Sequence, residues 1–448
     1  MLVSEFGTFI ARTRYENLPA NVVETVKLRV LDALAAALTG YHMGCHKQLL
    51  PLLGGAEQAS GWGVGKRFSV RDATLLNSFL SHALYLDDGS RFTGGHPSSV
   101  VIPSAVALAE MERATGRRLI AAVAAGYEIF LRLGRAIYPS TVVRGFQSTA
   151  VIGAAASAAA CANLLRFPPK AAKNALAIAC NLGVGLKEAL KSSASQPIQV
   201  ARSCEGGVVA ALFAGQGVEG ADSILEGGFL RAFADNPATA DMLTGLGTDF
   251  RIFETYIKVH GGCRGNHAPV DVAQDVVKAN AIKPETIAGV LIRVDSVTYA
   301  AEIHEPANGN EAQFSVAFAV AAALVKGDAS IFQYTDANVA DPCIREMMTR
   351  IRVEVDQRLD QGYPDKRASS AEITLADGRR FTGHIDIAKG EPECPLSAAE
   401  IESKFLTLTR DILAGGGERV RDLVMGLETL PDVNALAACL KAGGRSCN

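Results

Sequence analysis

Aromatic residues make up only 6% of this 448-residue chain, with a single tryptophan, so its core must be built from alanine, leucine, valine and glycine. Small side chains of that kind favour closely packed helices over a β-sandwich. The nine cysteines (Cys45, Cys161, Cys180, Cys204, Cys263, Cys343, Cys394, Cys439 and Cys447) are odd in number and never spaced Cys-x-x-Cys. That pattern argues against a disulfide framework and against a cysteine zinc site. Positive charge is not in excess: the formal net charge is -3, and no basic run is interleaved with aromatics, so no nucleic-acid partner is expected. No Gly-x-Gly-x-x-Gly follows a strand pattern and no Gly-Lys-Ser/Thr loop occurs, which removes the usual nucleotide loops. The most apolar stretch, residues 150–165, is interrupted by Ser157 and Asn163 and is rich in small residues, so it is unsuited to lipid. Met1-Leu2-Val3-Ser4-Glu5-Phe6 lacks a basic-then-apolar signal pattern. A cytoplasmic protein is expected, with no membrane partner, no cofactor and no metal.

What is present is hydrophobic residues at 48%, arranged with helical spacing through most of the chain. Helices are expected over residues 21–38, with Asn21 as cap and Gly40 as stop, and over 72–86, 102–115, 118–137, 150–165, 168–181 and 200–214. After residue 289 the character changes. Residues 290–294 and 351–355 read as strands, and 371–375 with 380–385 read as a hairpin around Asp377-Gly378. Helix patterns fall at 313–325 and 341–349 between them. The tail returns to helix over 397–414, opened by a Ser397/Glu400 capping box, and over 419–427. The expected fold is therefore mainly α: a large all-helical domain over 1–255, completed by 396–448, plus a smaller α+β domain over 256–395.

Two polar stretches stand out against this background. One is Ser81-His82-Ala83-Leu84-Tyr85-Leu86-Asp87-Asp88 followed by Gly94-Gly95-His96-Pro97-Ser98-Ser99, and the other is Lys258 through Cys263-Arg264-Gly265-Asn266-His267. Each sets acid, base and cationic groups in a glycine-rich turn beside a helix, which is how a scaffold holds reactive groups on loops. His96 reads as a general acid or base, or a carboxylate donor, with Ser98 or Ser99 capping the helix behind it. Lys258 and Arg264 suit an anion of several charges. Asp271, in the helix that His267 opens, is placed to orient a histidine. Asp87 and Asp88 offer no recognisable third ligand, so pairing in the core is expected for them and for His82. Lys191, Tyr138 and Gln147 are further polar groups at helix ends.

Along nearly its whole length the chain resembles the MmgE/PrpD family, which includes 2-methylcitrate dehydratase, cis-aconitate decarboxylase and iminodisuccinate epimerase. The resemblance rests on Leu31-Asp32-Ala33-Leu34-Ala35, Ser81-His82-Ala83, Leu86-Asp87-Asp88, His96-Pro97-Ser98, Lys173-Asn174-Ala175-Leu176-Ala177, Lys258 to Pro269, and Leu375-Ala376-Asp377-Gly378. It implies a helical domain with an α+β lid, a homodimer, and a cofactor-free site for small di- or tricarboxylates. His96 and Lys258 stand where the family has histidine and lysine. Tyr85 stands in place of an aspartate, Gln147 of a histidine, Gln196 of a lysine, Cys263 of the decarboxylase's histidine, and Phe318 of a tyrosine.

Those departures weaken the dehydratase and decarboxylase set. The expectation is thus an epimerase resembling iminodisuccinate epimerase, with a lyase or a non-catalytic acid-binding member as alternatives. Its catalytic groups are expected to be His96, Lys258, Tyr138 and Lys191, with Tyr85, Gln147, Gln196, Cys263, Arg264 and His267 binding the substrate.

Overall fold

The computed structural model describes residues 1–191, 195–413 and 415–443, without the side chain of Lys191. It is 57% helical and 9% strand, a mainly α protein as the sequence pattern requires. Among the described residues no helix is long and apolar enough to cross a membrane. The chain divides into two compact units: Met1–Ala83, Asp87–Thr255 and Ser397–Asn448 form the first, while Leu84–Leu86 and Tyr256–Leu396 form the second.

The first unit contains α1 (Leu2–Arg12), α2 (Ala20–His42), α3 (Val70–His82), α4 (Ser98–Met111), α5 (Gly116–Ile137), α6 (Ser140–Val143), α7 (Ser148–Leu164), α8 (Pro169–Ala179) and α9 (Ser195–Gly215). A short ribbon, β1 (Ala59–Ser60) with β2 (Arg67–Phe68), precedes α3. The alanine-rich α7 is buried along its full length and packs against α5 and α9. Its small side chains let hydrogen bonds cross between helices: Ser157 Oγ donates to the Cys204 carbonyl at 2.7 Å, and Ser203 Oγ to the Ala150 carbonyl at 2.6 Å. Of the C-terminal helices, Ala398–Thr409 joins α2 through Lys404 Nζ on Asp32 Oδ1 at 2.6 Å. Its start carries the expected capping box, with Ser397 and Glu400 each serving the other's backbone N–H.

Two expected boundaries of α2 differ. The helix begins after Pro19, whose carbonyl accepts from Val22 and Val23, so Asn21 is not its cap. Nor does Gly40 stop it. A Cβ on Gly40 would lie 2.6 Å from the Leu80 carbonyl oxygen, so the glycine is there to let α2 and α3 approach, and the helix runs on to His42. The α4 helix likewise starts earlier than expected and carries Pro103 inside it.

In the second unit four strands pair in the order β4–β3–β5–β6: β3 (Ile287–Val294), β4 (Ile351–Val355), β5 (Ser369–Leu375) and β6 (Arg380–Ile385). β3 and β4 are parallel, joined by a crossover that holds the helices Val316–Lys326 and Pro342–Thr349; the other pairings are antiparallel. Along β5, Ser369, Ala371, Ile373 and Leu375 are buried in alternation, the period of two that a strand covered on one face must show. The helix His267–Ala279 packs on β5 and β6.

The Gly40 contact yields a direct expectation. Gly40→Ala should destabilise the protein by about 1–3 kcal/mol, the usual range for overpacking, seen as a lower thermal midpoint. Gly54→Ala, at a site with no atom within 4 Å of the added Cβ, should leave the midpoint unchanged. Equal midpoints for the two variants would contradict the close α2–α3 approach.

Candidate active site

The first unit gathers its reactive groups where α3 ends and α4 begins. α3 stops at His82, and three residues on Tyr85 adopts φ 51°, a left-handed conformation that no helix can continue through. Two fully buried carboxylates follow. His82 Nδ1 lies 2.6 Å from Asp87 Oδ2, so the ring donates its proton to the carboxylate. Asp88 serves the scaffold: its Oδ1 accepts from the Ser98 N–H at 2.9 Å, its Oδ2 from the Tyr127 hydroxyl at 2.9 Å, and Arg29 stands 3.7 Å away. Burial pushes the Asp88 carboxyl up to about 6, against the pull of the Arg29 guanidinium. The cap of α4 is thus Asp88, not Ser98 or Ser99 as the sequence implied.

His96 is fixed from two sides. Its backbone N–H donates to Thr149 Oγ1 at 3.0 Å, near the start of α7. Its Nδ1 lies 2.6 Å from the Asp88 carbonyl oxygen. A carbonyl only accepts, so Nδ1 carries a proton, and Nε2 is the nitrogen that holds the lone pair in the neutral ring and the second proton in the imidazolium. The His96 side chain is 19% exposed, whereas those of His82 and Asp87 have no exposure. Tyr138 reaches the same loop: Gly94 has φ 62°, and a Cβ there would sit 2.9 Å from the Tyr138 ring. Gln147 caps α7, its Oε1 accepting from Ala150 N–H at 2.6 Å, which leaves its amide nitrogen as the group able to meet a carboxylate.

Gln196 comes from the first turn of α9 and places Nε2 2.7 Å from His82 Nε2. The first unit therefore brings His96 and Gln196 to His82 and Asp87, with Tyr138 against the loop that carries His96 and Gln147 two residues before the Thr149 that holds it. Lys191 closes the turn Lys187–Lys191, and its side chain lies outside the described residues, as do residues 192–194. Among the described residues, buried polar atoms beside this cluster without a hydrogen-bond partner include Ser90 Oγ, Ser98 Oγ, Ser148 Oγ and Gln196 Oε1. Buried polar groups are normally satisfied. Ser90 pairs backbone to backbone with Gly95, and Ser148 precedes the Thr149 that holds His96.

The remaining expected site residues belong to the second unit. Lys258, 2% exposed, donates from Nζ to the Tyr85 carbonyl, while the Tyr85 ring meets Phe314 edge to face at 5.5 Å. Cys263 N–H donates to the Gln313 carbonyl at 2.7 Å, which the Asn266 amide also reaches at 3.0 Å. His267 opens its helix with its ring 5.4 Å from that of His260. The histidine that Asp271 orients is His260, at 2.6 Å from Oδ1. Arg264 is engaged within the unit: Nε donates to Glu391 Oε1 at 2.7 Å, a second nitrogen does the same, and the guanidinium lies over the Tyr256 ring at 5.1 Å.

His82, Asp87 and His96 also offer three possible metal-ligand atoms within 4.8 Å of one another. The His82–Asp87 hydrogen bond accounts for most of that closeness, and Gln196 occupies the other His82 nitrogen, so the trio fits a hydrogen-bonded network better than an ion. The sequence expected His82 and Asp87 to pair in the core, and the structure pairs them there at 2.6 Å with neither side chain exposed; what the sequence did not show is their place next to His96. Histidine five residues before an aspartate, across a helix end, was the available signal.

A two-unit enzyme with its reactive groups at helix ends and glycine turns is the class that this geometry defines. The MmgE/PrpD N-terminal domain model matches residues 4–240, and the MmgE/PrpD C-terminal domain model matches residues 260–428. The chain belongs to the MmgE/PrpD family, and it is an isomerase or lyase of that type. It is similar to the cis-aconitate decarboxylase of Aspergillus terreus, at 26% identity over 99% of this chain and 97% of the relative. It is similar also to the cis-aconitate decarboxylase of Homo sapiens, at 25% identity over 98% of this chain and 94% of the relative.

The Arg264 contacts separate two roles. Arg264→Met should lower the unfolding free energy by about 3–5 kcal/mol, because it strands the buried Glu391 carboxylate without its guanidinium. A variant as stable as the parent, with KM alone raised, would return Arg264 to the substrate.

Proposed function

We propose that the protein is a lyase that removes one carboxyl group, as carbon dioxide, from a small unsaturated polycarboxylate of the cis-aconitate kind. The observation that carries the reading is the group of unpartnered buried atoms, Ser90 Oγ, Ser148 Oγ and Gln196 Oε1, around a histidine that is itself partly exposed. Such atoms suit a polar ligand that completes their hydrogen bonds. Full-length likeness to decarboxylases supports the choice of reaction.

In the proposed step the bond between carbon and the leaving carboxylate breaks. Its electron pair moves through the double bond toward a remaining carboxylate, giving an enolate-like carbanion. A proton delivered by the His96 imidazolium, with Tyr138 as the neighbouring hydroxyl, ends on carbon. The products are carbon dioxide and an unsaturated acid with one carboxylate fewer. Gln147 donates to a carboxylate, and Lys258, with Cys263 and His267 on the same loop, is retained as a source of positive charge. Lys191 is retained as a further cation.

A second reading, epimerisation of an amino- or imino-dicarboxylate, is favoured by one observation: Gln196 is a neutral amide bonded to His82 where the resemblance puts a lysine. Fewer cations suit fewer carboxylates, and epimerisation passes through the same carbanion with a proton leaving in place of carbon dioxide. The described cysteines are free thiols, which fits a reducing, cytoplasmic setting.

Incubation with a panel of di- and tricarboxylates in heavy water, followed by proton NMR, tests this. Loss of carbon dioxide with one deuteron gained at carbon is expected; exchange without that loss would favour the epimerase, and neither with any acid would overturn both. His96→Gln and Lys258→Met should each lower kcat by roughly 10²–10⁴-fold at an unchanged thermal midpoint.

We also propose a homodimer. Leu182, Val184 and Leu186 are exposed on one loop, and Gln199, next to the exposed Ile198, bonds the Leu186 backbone. A contiguous apolar patch of this kind is what a self-complementary interface covers. Light scattering should give twice the chain mass, and Leu186→Glu should halve it. A monomeric parent at micromolar concentration would dismiss the dimer.

A further inference from the structure

We infer that His82 and Asp87, with Gln196 behind them, are positioning residues: together they set an oriented carboxylate facing the charge that His96 acquires on taking a proton. The inference deepens the proposed function, because it rests on His96 as the proton-exchanging group. Its two principal residues, His82 and Asp87, have side chains with no exposure.

The argument starts from which ring can reach a ligand. His82 and His96 lie edge to face with centroids 5.1 Å apart, yet only His96 has an exposed side chain. His82 stands behind it with both nitrogens engaged. Gln196 Nε2 is 2.7 Å from His82 Nε2, and an amide N–H only donates, so Nε2 accepts. The His82 proton is then on Nδ1, directed to Asp87 Oδ2 at 2.6 Å. Asp87 is consequently a carboxylate oriented by a neutral donor, and its other oxygen lies 3.6 Å from His96 Nδ1. The same nitrogen donates to the Asp88 carbonyl at 2.6 Å.

The Asp88 carboxylate is held by Ser98 N–H, Tyr127 and Arg29, so Asp87 is the acid that faces His96. An oriented carboxylate behind an imidazole fixes the ring and stabilises the imidazolium without itself becoming protonated. Gln196 adds a feature a lysine lacks. Its Oε1 is buried with no partner, so a turn of the amide presents an acceptor where a donor had been. An ammonium at this place could only donate.

The test follows the His96 imidazole nitrogens by NMR in the full chain labelled with ¹⁵N-histidine, with signals assigned by His96→Gln. Asp87→Asn should lower the His96 titration midpoint by about 1 pH unit, a charge removed from beside an imidazole being worth that much or more. His82→Leu should raise it, since Asp87 then loses the hydrogen bond from His82 Nδ1. His82→Asn, whose amide can replace the Nδ1–H, should restore the parent value. A general loosening of the fold would not give opposite signs with rescue. His96 values unchanged in Asp87→Asn and His82→Leu would overturn the inference. Should Asp87→Asn fail to fold, the His82→Leu and His82→Asn pair decides alone.

Turnover separates this inference from the reading beneath it. Asp87→Asn should lower kcat at least tenfold while KM stays within about threefold, as expected of a group acting through the base. If the nitrogen signals respond as described but His96→Gln retains full turnover, the positioning stands and the assigned proton transfer fails.

Discussion

Asp87 and Asp88 are adjacent in the chain, have no solvent exposure, and would repel each other as bare charges in a low-dielectric interior. The fold resolves this by dividing them. Asp88 is given to the scaffold, where Arg29 of α2, Tyr127 of α5 and the first N–H of α4 converge on it. Asp87 is given to the two histidines. Because alternate partners come from four helices and one loop, the division fixes where α2, α3, α4 and α5 meet. It also determines that His96, on the loop leaving this junction, is held from behind by its backbone neighbours while one edge stays reachable. The reactive group is placed by the needs of the carboxylates.

Legibility in the sequence followed the range of the interaction. The hairpin around Asp377-Gly378 and the Ser397/Glu400 capping box were readable because turn chemistry and cap spacing act within four residues. The strand at 351–355 and most helices of the first unit were readable because hydrophobic period is local, although α1 was not expected and α3 stops at His82 short of the expected residue 86. What failed was tertiary. Gly40 looks like a helix stop until Leu80 is seen against it, and Ser98 looks like a cap until Asp88 takes the role. Gln196 meets His82 across 114 residues and Arg264 meets Glu391 across 127, and no pattern along a chain announces such pairs. His96 and Lys258 were visible because glycine turns flank them, whereas His82 and Asp87 looked like core.

The Arg264–Glu391 pair shows the same limit from the other direction. An arginine between glycines reads as an anion site, and in isolation that is sound. A guanidinium already bound to a carboxylate, over an aromatic ring, has its geometry and most of its charge accounted for. Sequence identifies groups able to bind an anion but not those already binding one.

The unpartnered atoms beside His96 bear on stability as well as on chemistry. A buried hydroxyl or amide without a partner costs about 1–3 kcal/mol, and Ser90, Ser148 and Gln196 each contribute one. A core selected for stability alone would replace them with apolar side chains of similar volume, as α7 does a turn further on with alanine after alanine. Their retention next to a histidine whose Nε2 carries the lone pair is physically reasonable where a bound acid completes those hydrogen bonds. The same ligand would then recover part of the cost on binding and be drawn to the reactive ring by it. Under that reading the small-residue packing of α7 and the polar edge at its N-terminus are complementary. One supplies the stability that lets the other remain unsatisfied.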